Sequence, residues 1–257
     1  MGPAIVHYLR LDDWKYEVFF DPAPARSQTR EWNIDWVVDL VEGAVSDAEL
    51  DKHPFFELAA LSPDVLLMWV SQELVMTNAF SQMVLFAASR LQNGHDRAVL
   101  TEVARGEHGR IRKGIADRAH PTLLERLRQS IGLSRSNVFP LPPTRDFITR
   151  LATELSEPLR AVTFIGVGNE RLIEPEYTAV KQLFQLHRHL WPEADVNEFL
   201  DANLDEDRTH SRLCLELASS YIRTQAAAEQ FRTAVREAIA SRLLYFDELA
   251  VHASRSV

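Results

Sequence analysis

The segment Asn203-Leu204-Asp205-Glu206-Asp207-Arg208-Thr209-His210 carries residue types that hold metal ions. On a helix, positions i, i+4 and i+7 share one face, so Asn203, Asp207 and His210 project together. A carboxylate three residues before a histidine is also how helical bundles present a ligand pair to an iron centre. The same letters describe a solvated acidic face, with Asp201, Asp205 and Glu206 simply exposed. A second Asp-Arg-x-His run stands at Asp117-Arg118-Ala119-His120 and is followed by Pro121. The residue before a proline is driven out of the helical region, so Asp117 and His120 need not share a face. Glu107, closing the preceding helix, is the better carboxylate partner for His120. Glu170 ends the apolar run Val162-Thr163-Phe164-Ile165-Gly166-Val167-Gly168-Asn169. There it either reaches solvent or needs a counter-charge, since an unpaired buried charge costs several kcal/mol or shifts its pKa. A metal would serve.

Other chemistries find less support. Gly166-x-Gly168 lacks the leading strand and the third glycine of a dinucleotide loop, and reads as a place where a helix or substrate approaches closely. Cys214, the one cysteine, excludes an internal disulfide or a thiolate cage, and it reads as a core residue. No Gly-x-Ser-x-Gly elbow and no phosphate-binding loop is present. His187-Arg188-His189 reads as surface and His53 as a structural anchor.

These residues need helices to position them. The chain has 257 residues, 46% of them hydrophobic and 25% charged, an ordinary globular composition with ample length for a core. The formal charge of −9 argues against nucleic acid or an anionic membrane, which call for a basic face. No basic leader and no long uncharged apolar stretch occurs, so a cytoplasmic protein is expected. The first 45 residues give mixed signals, with a short strand or loop between Ile5 and Phe20 and a short helix from Asp35 to Gly43. From Ser46 the periodicity is helical. Ser62-Pro63-Asp64 opens a long helix to about Arg90, apolar nearly all round and therefore central. Helices are expected from Asp96 to Gly106, from Pro121 to Gly132, after the Pro140–Pro143 linker, from Pro158 to Glu170, from Pro175 to Leu190, from Asp195 to Leu217 and from Thr224 to Val251. No two-residue alternation is seen after Ser46. The reading is all-α, with an N-terminal extension over 1–45 packed on one helical domain over 46–257.

Several segments, taken in order, resemble one family. His53-Pro54-Phe55-Phe56 with Leu61-Ser62-Pro63-Asp64, Glu107-His108-Gly109, Ala119-His120-Pro121, Ile131-Gly132-Leu133, Glu170-Arg171-Leu172-Ile173 and Asn203-x-x-x-Asp207-x-x-His210 are similar to the haem-oxygenase-like diiron oxidases and oxygenases. The resemblance implies a single-domain haem-oxygenase-like bundle of about seven core helices. It also implies iron-dependent O₂ chemistry on unactivated C–H bonds of a small carboxylate substrate, an aliphatic amino acid above all, in specialised metabolism. Iron ligands carried over by similarity are Glu107, His120, Glu170, Asp207 and His210, for one or two Fe(II) per chain with O₂ as co-substrate. Asn203 stands where the family has histidine, and an amide oxygen is a poorer iron ligand than imidazole, so a weaker second iron is expected. Lys181, eleven residues after Glu170, is a candidate for holding the substrate carboxylate. Expected partners are the substrate, an external electron donor and a second copy of the chain. Two rival readings are a metal-free cofactor-biosynthesis enzyme or hydrolase of the same fold, and a non-catalytic helical interaction protein.

Overall fold

The computed structural model describes residues 6–11, 14–19, 32–108, 110–112, 115–117 and 119–255, with only the backbone described for 6–19 and 110–117. Among these residues the architecture is helical, with ten α-helices and two short antiparallel hairpins. One hairpin pairs β1 (Val6–Leu11) with β2 (Trp14–Phe19), within the stretch read as strand or loop. The other pairs β3 (Arg110–Arg112) with β4 (Ile115–Asp117). It corrects the expectation of no strand after Ser46: three-residue strands are too short to show an alternation. No described helix is long and apolar enough to cross a membrane.

Helix α1 (Ile34–Ala48) starts where the Asn33 side chain accepts from the Trp36 N–H, and it buries Val37, Val41 and Val45 at four-residue spacing. It runs through Gly43, where the sequence suggested a helix end, and across Ser46, where a new helical stretch was expected to begin. Ser46 is therefore helix interior, and the left-handed Glu49 (φ 44°) ends α1. Helix α2 (Pro54–Leu61) is capped by His53, whose Nδ1 accepts from the Phe55 N–H, consistent with an anchor role.

Helix α3 (Pro63–Arg90) is the central element, burying Trp69, Glu73, Met76 and Phe80 along one face. Helices α4 (Gly94–His108) and α5 (His120–Ser130) flank it, joined by the second hairpin. Helix α6 (Pro142–Glu154) begins inside the segment read as linker. Gln72 ties it to α3: its Oε1 accepts from the Leu141 N–H (2.9 Å) and the Thr144 hydroxyl (2.7 Å).

The chain then runs through α7 (Pro158–Thr163), a π-helical stretch over Phe164–Arg171 and α8 (Ile173–Leu186) with little interruption. Two long helices, α9 (Glu193–Tyr221) and α10 (Gln225–Ala253, capped by Thr224), complete the bundle. The π turn admits an extra residue and re-aims the side chains beyond it. Asn169 and Glu170 are both buried there, and the Leu172 N–H reaches the Val167 carbonyl at 3.2 Å.

The π stretch lies against α9 at very close range. The Ser211 hydroxyl donates to the Gly166 carbonyl (3.0 Å), and a Cβ added to Gly166 would overlap the Cβ of Cys214. Gly166 thus serves the close helix approach its sequence suggested, and Cys214 is a buried core residue. Because a Cβ cannot swing away, Gly166→Ala forces the two helices apart. We expect a loss of about 1–3 kcal/mol from overpacking, read as a lowered urea midpoint with an unchanged slope.

Candidate metal centre

Four elements deliver five ionisable side chains to one buried place. The last turn of α4 brings Glu107, and the first residue of α5 brings His120. The π stretch brings Glu170, and one face of α9 brings Asp207 and His210. All five are buried, Glu170 to 1% exposure and Asp207 and His120 to 2%. Asp205 on the same helix is exposed, so α9 is a split helix with its ligand-type residues inward. The reading of a merely solvated acidic face does not describe it.

The ligand-type atoms form two overlapping groups, Glu107–His120–Asp207 and Glu107–Glu170–His210, the atoms of each within 4.8 Å of one another. Glu107 belongs to both. Its Oε1 lies 3.1 Å from His120 Nδ1. His210 Nδ1 lies 3.4 Å from Glu170 Oε2 and 3.8 Å from Asp207 Oδ1. His120 Nε2, both oxygens of Glu170, both oxygens of Asp207 and His210 Nδ1 are buried without a hydrogen-bond partner. Buried polar atoms are ordinarily satisfied, and so many orphans in one spot need a common partner. A divalent cation fits: the donors are carboxylate oxygen and imidazole nitrogen, a set suited to non-haem iron or manganese.

Electrostatics agree with that fit. Burial, and then repulsion from Glu107, push the Glu170 carboxyl well up; burial, and then Glu170, do the same to Asp207. Burial lowers His210. At His120 burial also acts downward, but the carboxylates of Glu107 and Glu206 outweigh it and hold the imidazole well above its usual range. Without a metal, protons must therefore supply the missing positive charge.

The remaining sequence candidates have distinct fates. Asn203 is buried beside the cluster, and its Nδ2 donates to the Phe199 carbonyl (2.7 Å). Asp117 lies in β4, so it shares no helical turn with His120, and its side chain is outside the described residues. Lys181 is not brought to the cluster; its ammonium pairs with Asp201 at 2.5 Å. The expectation that an interaction protein would scatter Glu107, Glu170 and His210 over the surface does not match their convergence.

The sequence reading passed over a second buried layer. Glu73, Asn169, Tyr177 and Arg242 line a cavity of about 20 Å³ with Glu107, His120 and Asn203, room for a water-sized molecule. Glu176 accepts from Arg242 Nε (3.0 Å) and Nη2 (2.5 Å) and from Trp69 Nε1 (3.0 Å). Glu73 accepts from the Tyr177 hydroxyl (2.8 Å), while its Oε2 has no partner. Burial, and then Glu176, push the Glu73 carboxyl up to about 7. The available signal was a glutamate and an arginine inside otherwise apolar helical faces, at 73 on α3 and 242 on α10.

Gly106 makes the cluster possible. A Cβ there would overlap His210 Cε1 and stand 2.6 Å from its Nε2. Gly106→Ala must turn the His210 ring out of place. We expect Co(II) affinity at least about tenfold weaker, the scale found when a ligand's orientation is disturbed. Gly43→Ala, where nothing lies within 4 Å of the added carbon, is the control and should leave Co(II) binding unchanged.

The fold has solved relatives. A CADD-like protein of unknown function from Nostoc punctiforme PCC 73102 superposes with a TM-score of 0.65 at 17% identity, over 87% of this chain and 96% of that one. A TenA homologue from Pseudomonas syringae pv. tomato superposes with a TM-score of 0.67 at 13% identity, over 91% and 98%. At such identities the likeness speaks for the helical fold alone. No curated protein matches the sequence. A family model described as iron-containing redox enzyme matches residues 67–243, a span that includes α4, α5, the π stretch and α9. With most of its length matched and every residue of the buried cluster inside that span, this chain belongs to the iron-containing redox enzyme family.

Proposed function

We propose that the protein is a non-haem Fe(II)- and O₂-dependent oxidase or oxygenase that binds two irons in adjacent positions. The observation that carries the reading is the sharing of Glu107 between two buried ligand groups. A carboxylate has two oxygens and can serve two neighbouring cations at once. Bound iron would supply reductive activation of O₂, and an external electron donor would restore the ferrous state.

The protein's own residues do the rest. Glu107, His120 and Asp207 hold one position; Glu107, Glu170 and His210 hold the other. Met76, Phe80 and Ile173 give the adjoining cavity an apolar portion beside its polar lining. Arg242 on the cavity wall is paired with Glu176, and Lys181 is engaged with Asp201. The proposed substrate is a small aliphatic amino acid in specialised metabolism, undergoing desaturation, hydroxylation or ring formation in the cytoplasm. It must widen the cavity to enter, so closure around substrate is part of the reading.

Anaerobic Fe(II) titration tests this directly. We expect two unequal binding steps in the parent protein, both weakened in Glu107→Gln and one selectively weakened in His210→Ala. A parent that retains no iron under ferrous saturation would sink the proposal.

The pKa directions add a second expectation. Glu170, Asp207 and His120 hold protons in the metal-free protein and must release them to bind a cation. Metal affinity should rise between pH 6 and 8, with proton release seen as a buffer-dependent binding enthalpy. The metal-free protein should show the opposite trend. The folded-state pKa values of Glu73, Glu170 and Asp207 lie above their unfolded values, so their contribution to stability is full at low pH and is lost as pH rises; for Glu73 the loss is complete by about 7. Thermal melts with and without metal, run across that range, should diverge.

A further inference from the structure

We propose that Glu206 is a further metal-binding carboxylate of this centre, entering the shell of the ion held by His120. This rests on the iron reading above. Glu206 directly precedes Asp207 and, three residues after Asn203 and four before His210, lies at the edge of the face they share.

Three observations bring it to the site. First, His120 Nε2 is buried and makes no hydrogen bond, yet it faces Glu206 Oε2 at 3.5 Å. That separation is long for a hydrogen bond and ordinary for two donors around one cation. Second, Gly106 clears the way for both side chains: a Cβ there would meet the His210 ring and would also stand 3.3 Å from Glu206 Oε2. The Glu206 carboxylate therefore reaches into the channel that Gly106 leaves open beside His210. Third, the amide of Asn203 is tied to its own helix through the Phe199 carbonyl, leaving that turn of α9 without a strong donor.

Among Glu107, Glu170, Asp207 and Glu206, Glu206 is the one with substantial exposure, 37% for its side chain. It can meet an incoming hydrated cation at the mouth and follow it inward.

The test uses Zn(II) as a diamagnetic probe on the full-length, metal-stripped protein. Calorimetric titrations compare the parent, Glu206→Gln, Glu206→Ala and Glu206→Ala with Asn203→His. Nitrogen-15 spectra of the histidine-labelled Zn(II) form report which ring nitrogen of His120 is bound. We expect both single variants to weaken one binding step by about tenfold or more and spare the other. The added histidine at 203, on the cavity wall, should restore the weakened step, and His120 should bind through Nε2. Unchanged affinities in Glu206→Gln would overturn the assignment. So would Zn(II) bound at Nδ1 with the Nε2 proton retained, since Glu206 would then be only an outer partner. Absence of any Zn(II) binding in the parent would instead remove the metal reading itself, and this assignment with it. Glu206→Gln keeps the shape of the side chain at a partly exposed position, so its metal-free melting temperature serves as the folding control.

Discussion

The central constraint on this molecule is the burial of three carboxylates and two imidazoles at one point among helices. Each ionised group there loses its hydration, and the carboxylates repel one another at short range. Burial favours the protonated forms of Glu170 and Asp207, a contribution to folding that is lost as pH rises. A divalent cation would relieve it further, because the same oxygens that repel one another would become its ligands. Much of the local architecture reflects this. Gly106 lacks a Cβ so that α4 can lie against the His210 ring, and Gly166 lacks one so that the π stretch can lie against α9. The π turn brings Glu170 to the inside along with Asn169.

Around this centre lies a second buried polar layer of a different character. Glu176, Arg242 and Trp69 satisfy one another by direct hydrogen bonds, and Arg242 also stacks among Phe147, Tyr245 and Phe246. That group is closed and needs no ligand. Glu73 stands between the layers, with one oxygen held by Tyr177 and the other bare. The contrast between saturated and orphaned polar atoms separates structural charge from functional charge here better than burial does, since both sets are fully buried.

The two ligand groups are not equivalent. His120 is held as a cation by its carboxylate neighbours, while His210 is kept neutral by burial. A metal approaching His120 must displace a proton, whereas one approaching His210 meets a free lone pair. Such asymmetry suits stepwise loading of two positions, with the stronger one filled first.

The sequence by itself determined a good deal. Helical periodicity and proline openers specified the all-α class and the long helices, because those signals act within a few residues of themselves. The i, i+4, i+7 face of Asn203, Asp207 and His210, and the preference for Glu107 over Asp117 beside His120, likewise came from local backbone rules. The hairpin between α4 and α5, the α1 helix running through Ser46 and the placement of Lys181 did not. Short strands carry too little pattern, and a lysine's partner depends on which helix lies across from it. Only the tertiary structure decided that Glu73 and Arg242 belong beside the cluster. Their positions arise from packing α3 and α10 against the ligand helices across long sequence separations, and no local rule links a glutamate on one helix to a histidine on another. The converging Glu and His residues were legible as types and spacings; their orphaned atoms, and hence the need for a metal, became visible only once burial had removed the water that would otherwise have satisfied them.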